Sequence, residues 1–194
     1  MRRIVCLGDS LTSGHGIGSA AAYPALLHER VRRAGFPYEV VNAGLARDTS
    51  ADARARLDRA LDGDVRVLVI ALGANDGLRG VPVAQLAANL SHIIEAAQQR
   101  RIAVLLCAME ALPIHGWAYC AAFHQAYPAL AARYEVPLVP FILLGVIGNP
   151  RLMQPDRAHP NAEGARAIAD VIWPHLEQLL ARGVGQPSPI SQQP

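Results

Sequence analysis

Lysine is absent: all 18 basic residues are arginine. A chain without lysine forms no lysine Schiff base and carries no Walker-type phosphate loop, which removes two large enzyme classes. Long apolar runs are missing as well. None approaches the roughly 18 residues of a membrane span, so no stable membrane insertion is expected. Met1-Arg2-Arg3 leads straight into the first expected strand, without the apolar region and cleavage site of a secretory signal. The expected location is the cytoplasm, or the periplasm or exterior if a signal peptide has been removed. Cysteine is scarce and odd in number. Cys6, Cys107 and Cys120 lack metal-site spacing, and the first two fall in apolar strand-like runs, so they read as buried reduced thiols. A net charge of +2 leaves no nucleic-acid footprint; the densest basic cluster, Arg30, Arg32 and Arg33, reads as the solvated end of a helix. The helical H-E-x-x-H motif is absent, and no metal site is expected.

What the chain does have is an alternation of short apolar strands and longer helical patterns. Strands are expected at 3–7, 38–42, 65–72, 102–108 and 136–141, the last demoted to a sheet edge by Pro137 and Pro140. Helices are expected at 20–34, from Asp48, Thr49 or Ser50 to 61, at 82–99, at 117–134 with Pro128 kinking or dividing it, and at 161–181; a short helix or irregular segment covers 142–153. This alternation predicts a parallel sheet with helices on both faces. A length of 194 residues suits one core. Residues 1–181 are expected to form a single domain and 182–194 a flexible tail.

The first strand stops abruptly at Gly8-Asp9-Ser10, which puts Ser10 just beyond a carboxyl end, the edge where ligands bind in open α/β sheets. All three residues also favour a plain turn. The following glycines have G-x-G-x-G spacing, not the G-x-G-x-x-G of a dinucleotide site. A serine nucleophile needs a base, and the base needs an orienting carboxylate. Asp156-Arg157-Ala158-His159 offers both in the last polar loop, although such a loop also uses Asp and His for capping and solvation. His15 and His115 compete as bases but have no acid at comparable spacing. His28, His92, His124 and His175 fall in expected helices.

Taken in order, Gly8-Asp9-Ser10-Leu11, Asn42-Ala43-Gly44, Gly73-Ala74-Asn75-Asp76-Gly77 and Asp156-Arg157-Ala158-His159-Pro160-Asn161 resemble the blocks of the SGNH/GDSL serine hydrolases. Ala22-Tyr23-Pro24-Ala25-Leu26-Leu27, Gly77-Leu78-Arg79-Gly80 and Val136-Pro137-Leu138-Val139-Pro140-Phe141 look like the bacterial thioesterase, arylesterase and lysophospholipase branch. The resemblance implies a three-layer α/β/α flavodoxin-like fold with a five-stranded parallel sheet. It also implies a cofactor-free esterase acting on a small-molecule acyl ester, with short acyl chains first and thioesters or lysophospholipids after them. Ser10 would be the nucleophile, His159 the base and Asp156 its orienting acid. The Ser10 backbone N–H and the Asn75 amide would form the oxyanion hole, where losing one donor commonly costs about 2.7–4 kcal/mol. Leu78, Pro113 and Trp117 are the expected substrate contacts.

One residue departs from the family pattern. After the second strand the family usually has Ser-Gly-Asp-Thr, whose glycine supplies a third oxyanion donor; here Ala46-Arg47-Asp48-Thr49 stands in its place. The Arg47 N–H survives, but a positive φ would cost a non-glycine residue energy. The Arg47 side chain is expected to lie over the pocket and attract anionic substrates, or to pair with a nearby carboxylate and narrow the entrance. A disturbed hole also defines the alternative function, a non-catalytic ligand-binding domain on the same fold.

Overall fold

The computed structural model describes residues 1–183, so 184–194 of the expected tail lie outside the described residues. Five strands, β1 Arg2–Gly8, β2 Tyr38–Gly44, β3 Val65–Ala71, β4 Ala103–Cys107 and β5 Leu138–Val139, form one all-parallel sheet in the order β2-β1-β3-β4-β5. Its central strands are nearly continuous apolar runs: Ile4 to Leu7 in β1 and Val67 to Ala71 in β3 are all buried. That composition suits strands covered on both faces. Among the described residues eight α-helices supply the cover: α1 Ser10–Ser13, α2 Tyr23–Arg33, α3 Ser50–Ala55, α4 Leu57–Ala60, α5 Ala74–Arg79, α6 Val83–Gln99, α7 Trp117–Tyr134 and α8 Ala162–Ala181. Helix α2 packs on α8, while α6 packs on α3 and α7.

The ends of three strands coincide. Gly8 is level with Gly44 of β2 and Ala71 of β3, so the loops after these strands leave the sheet side by side. Helix α1 is wedged into that edge. A Cβ on Gly8 would lie 1.9 Å from Thr12 Oγ1, and one on Gly44 would lie 2.3 Å from the Ser13 nitrogen. Both positions therefore require glycine for close backbone approach. Asn42 completes the join: its amide donates to the Thr12 carbonyl at 2.8 Å and its oxygen accepts from Gly44 N–H at 3.0 Å.

Local departures from expectation have physical reasons. The edge strand shrinks to two residues because Pro137 and Pro140 bracket it and neither can donate to a ladder. Helix α2 starts at Tyr23 because Pro24 fits its first turn, where a missing N–H costs nothing. Pro128 does not divide α7, which runs unbroken through it on its exposed side, where solvent receives the carbonyl left unpaired. The expected helix from 48–50 to 61 breaks at Arg56, and much of the polar loop after β3 is helix α5.

Candidate active site

Asp9 caps α1 by accepting from Leu11 N–H at 3.0 Å, and Ser10 is the first helical residue. The Ser10 hydroxyl lies 3.1 Å from His159 Nε2, across 149 positions of sequence. On the other side of the ring, Nδ1 lies 2.7 Å from Asp156 Oδ2. Asp156 Oδ1 accepts from the Ala158 and His159 backbone N–H groups, each at 3.0 Å. The bond from His159, helped by these two, holds the Asp156 carboxyl well below the usual carboxylate range. A carboxylate on Nδ1–H leaves the Nε2 lone pair directed at the serine hydroxyl.

The capping explanation for this loop falls to a different residue. Asn161 caps α8, accepting from Glu163 and Gly164 N–H at 3.0 Å each. Asp156 is thereby free to face the imidazole. Gln154 fastens the loop to the serine's own neighbourhood, donating through its amide to the carbonyls of His15 at 2.7 Å and Pro160 at 2.9 Å. Of the competing histidines, His15 packs against His159 with ring centroids 4.6 Å apart and planes tilted by 48°, while His115 Nε2 meets the Leu78 carbonyl at 3.1 Å.

Asn75, the second residue of α5, donates one amide hydrogen to the Asp48 carbonyl at 2.9 Å, and the amide has a second hydrogen to offer. Arg47 adopts φ 72°, so the strained case anticipated from its sequence is the one realised. A left-handed conformation costs a non-glycine residue roughly 1–2 kcal/mol. The surrounding contacts impose it. Arg56 bonds Asp48 Oδ2 at 2.6 Å and the Gly8 and Ala43 carbonyls at 3.1 and 2.9 Å, while Arg79 bonds the Arg47 carbonyl at 2.9 Å. Beneath them Asp76 accepts from Ser50 N–H at 2.8 Å and from its hydroxyl at 2.6 Å, with Asn89 donating to that hydroxyl at 3.0 Å. Arg56 is the residue that sequence reasoning missed: nothing in its spacing separates it from the other arginines of that stretch. The pairing considered for Arg47 does not occur. Asp48 is taken by Arg56, and among the described residues no carboxylate comes within 4.0 Å of the Arg47 guanidinium.

Ser10, Asn75 and His159 border a cavity of about 480 Å³. Arg47 lines it, together with apolar side chains that include Leu78, Met109, Leu112 and Phe141. Pro113 and Trp117 are not among the lining residues: Pro113 opens a single 3₁₀ turn, and Trp117 begins α7 with its side chain 79% exposed.

Asp9 is wholly buried, and its Oδ2 has no hydrogen-bond partner among the described residues. Burial pushes its carboxyl up to about 6. The folded state therefore binds this proton more tightly than the unfolded chain. The associated stability is full below the unfolded carboxyl value and is lost as pH rises toward 6. Asp9→Asn removes that loss while keeping an oxygen for Leu11. Its stability relative to the parent is expected to rise by roughly 2 kcal/mol between pH 4 and pH 7 in urea unfolding. Parallel pH profiles for the two proteins would contradict the shifted carboxyl.

Residues 6–167 match the GDSL-like lipase/acylhydrolase family. The chain is 39% identical over 178 residues to Esterase TesA of Pseudomonas aeruginosa, covering 91% of this chain and 89% of the relative. It is 35% identical over 179 residues to an arylesterase of Vibrio mimicus, covering 92% and 90%. Among solved structures, the psychrotrophic esterase EstA from Pseudoalteromonas sp., inhibited by monoethylphosphonate, superposes with a TM-score of 0.87 at 28% identity, covering 92% of this chain and 98% of that one. With the family spanning most of its length, the chain belongs to the GDSL-like lipase/acylhydrolase family and is a serine ester hydrolase.

Proposed function

We propose that Ser10 attacks the carbonyl of small carboxylic esters and carries the acyl group as an intermediate. The observation that supports this best is the continuous relay Ser10–His159–Asp156, at 3.1 and 2.7 Å. His159 Nε2 takes the hydroxyl proton as Ser10 Oγ bonds the carbonyl carbon, then gives that proton to the leaving oxygen as the old ester bond breaks. Water repeats the sequence in reverse and frees the acid. Asp156 stabilises the imidazolium without accepting its proton. The carbonyl oxygen, negative in each tetrahedral intermediate, is met by the Ser10 N–H, the free Asn75 amide hydrogen and the Arg47 N–H. The apolar wall containing Leu78 takes the acyl chain, and short chains are the preferred substrates. Residues 1–181 carry this activity as one domain. An ordered relay at the mouth of a cavity speaks against the binding-only alternative, in which no hydroxyl would need a base.

An alkyl phosphonate with a good leaving group tests the proposal, because its phosphorus captures an activated serine. One equivalent should attach to the peptide containing Ser10, and hydrolysis of a chromogenic ester should fall in step with labelling. Attachment elsewhere, or full ester cleavage by fully labelled protein, would refute the assignment.

A further inference from the structure

We propose that Arg47 and Arg157 form an anion subsite on the wall of the catalytic cavity, selecting esters whose leaving group carries a negative charge. This rests on the hydrolase reading above. Among the described residues four non-glycine positions have positive φ: Arg47 at 72°, Arg101 at 58°, Glu135 at 54° and Arg157 at 57°. Arg101 and Glu135 follow the ends of α6 and α7, where a left-handed residue closes a helix. Arg47 and Arg157 close no helix. Each sits in a loop turn that glycine would form at less cost, and each borders the cavity into which Ser10 opens. Backbone strain kept at a functional cavity calls for a reason in the side chain.

Both side chains are available to a ligand. Both residues are exposed, and among the described residues neither guanidinium has a carboxylate within 4.0 Å. The nearby acids are otherwise engaged: Glu110, which also lines the cavity, with His124 at 2.6 Å, Asp156 with His159, and Asp48 with Arg56. Placement then assigns the part of the substrate. The sheet order puts the β2 loop carrying Arg47 on one side of Ser10 and the β3, β4 and β5 loops, with Leu78, Met109, Leu112 and Phe141, on the other. The apolar side suits an acyl chain. Arg157 lies two residues before His159, the group that hands its proton to the departing oxygen, so positive charge adjoins the leaving group.

Three esters followed by pH-stat test this: phenyl acetate, 4-carboxyphenyl acetate with the anion on the leaving group, and monophenyl glutarate with the anion on the acyl end. The measured quantity is the ratio of kcat/KM for each anionic ester to that for phenyl acetate. Arg47→Gln and Arg157→Gln should each lower the 4-carboxyphenyl ratio about threefold to tenfold, as expected for loss of one partly solvated charge contact. Lysine at either position should retain most of the preference, and added salt should erode it in the parent. An unchanged ratio in both glutamine variants would overturn the subsite, and a fall in the glutarate ratio instead would overturn its assignment to the leaving group. Binding of 4-hydroxybenzoate against phenol, measured by calorimetry, separates the two layers of inference. Preferential binding of the anion without cleavage of any ester would sink the hydrolase reading alone, whereas cleavage of all three with no arginine dependence would sink the subsite alone.

Discussion

Ser10→Ala is expected to lower kcat/KM on a chromogenic ester by on the order of 10⁵-fold or more, the scale on which losing a triad serine acts. The fold should be unaffected. The Ser10 hydroxyl has His159 as its hydrogen-bond partner, while the features that build this corner are the Asp9 cap, the close approaches at Gly8 and Gly44, and the Asn42 bonds. Trimming one half-buried hydroxyl should therefore change stability by no more than about 0.5 kcal/mol, as for substitutions away from packing and capping features. The backbone N–H at position 10 also persists, so the residual rate reflects binding and oxyanion stabilisation. His159→Ala should be comparably inactive, and the double variant no worse than either single one, because hydroxyl and base act as one unit. Ester cleavage and cooperative unfolding must be measured on the same preparations. Parent-like cleavage by Ser10→Ala would place the nucleophile elsewhere, and multiplying effects in the double variant would deny that the two residues work together.

The residues of this relay were legible from sequence for unequal reasons. Ser10 follows a strand so apolar that its end, and the ligand-bearing edge, could be marked within a residue or two. Asp156 and His159 were visible as an acid and an imidazole three apart before a helix, but their approach to Ser10 depends on a crossover from the far edge of the sheet. That closure is a tertiary event, and the ordered family blocks, not local pattern, supplied it. The Arg47 turn shows the opposite limit. Its identity was plain, yet φ is imposed by Arg56, Arg79 and the bonds of Asp48, contacts between residues whose spacing carries no period. Pro113 and Trp117 lie in a loop beside the cavity, but a loop's position does not say which of its side chains turn inward; Leu112 lines the cavity while Trp117 faces solvent.

Asp156→Asn separates charge and tautomer from shape, and kcat/KM is expected to fall by about 10⁴-fold. An asparagine oxygen can still accept from the Ala158 and His159 N–H groups, which keeps the loop turn, and Asn161 continues to cap α8. The remaining amide nitrogen would then face His159 Nδ1 at the position where Oδ2 now lies 2.7 Å away. A donor there favours a neutral imidazole with its hydrogen on Nε2, the wrong tautomer to take the Ser10 proton, and no carboxylate remains to stabilise the imidazolium. Asp156→Ala should leave the imidazole less firmly oriented but free to choose its tautomer, so a loss no larger than that of Asp156→Asn would separate orientation from tautomer control. In the parent, kcat/KM should fall on acidification because a protonated imidazole cannot accept from serine. Asp156 does not cause this fall. Its depressed folded value keeps it ionised until well below the ordinary carboxylate range, so whatever stability it adds is present above the unfolded value and is lost only at more acid pH. Rates unaffected by Asp156→Asn would remove the carboxylate from the mechanism and leave its short contact to His159 a matter of loop structure alone.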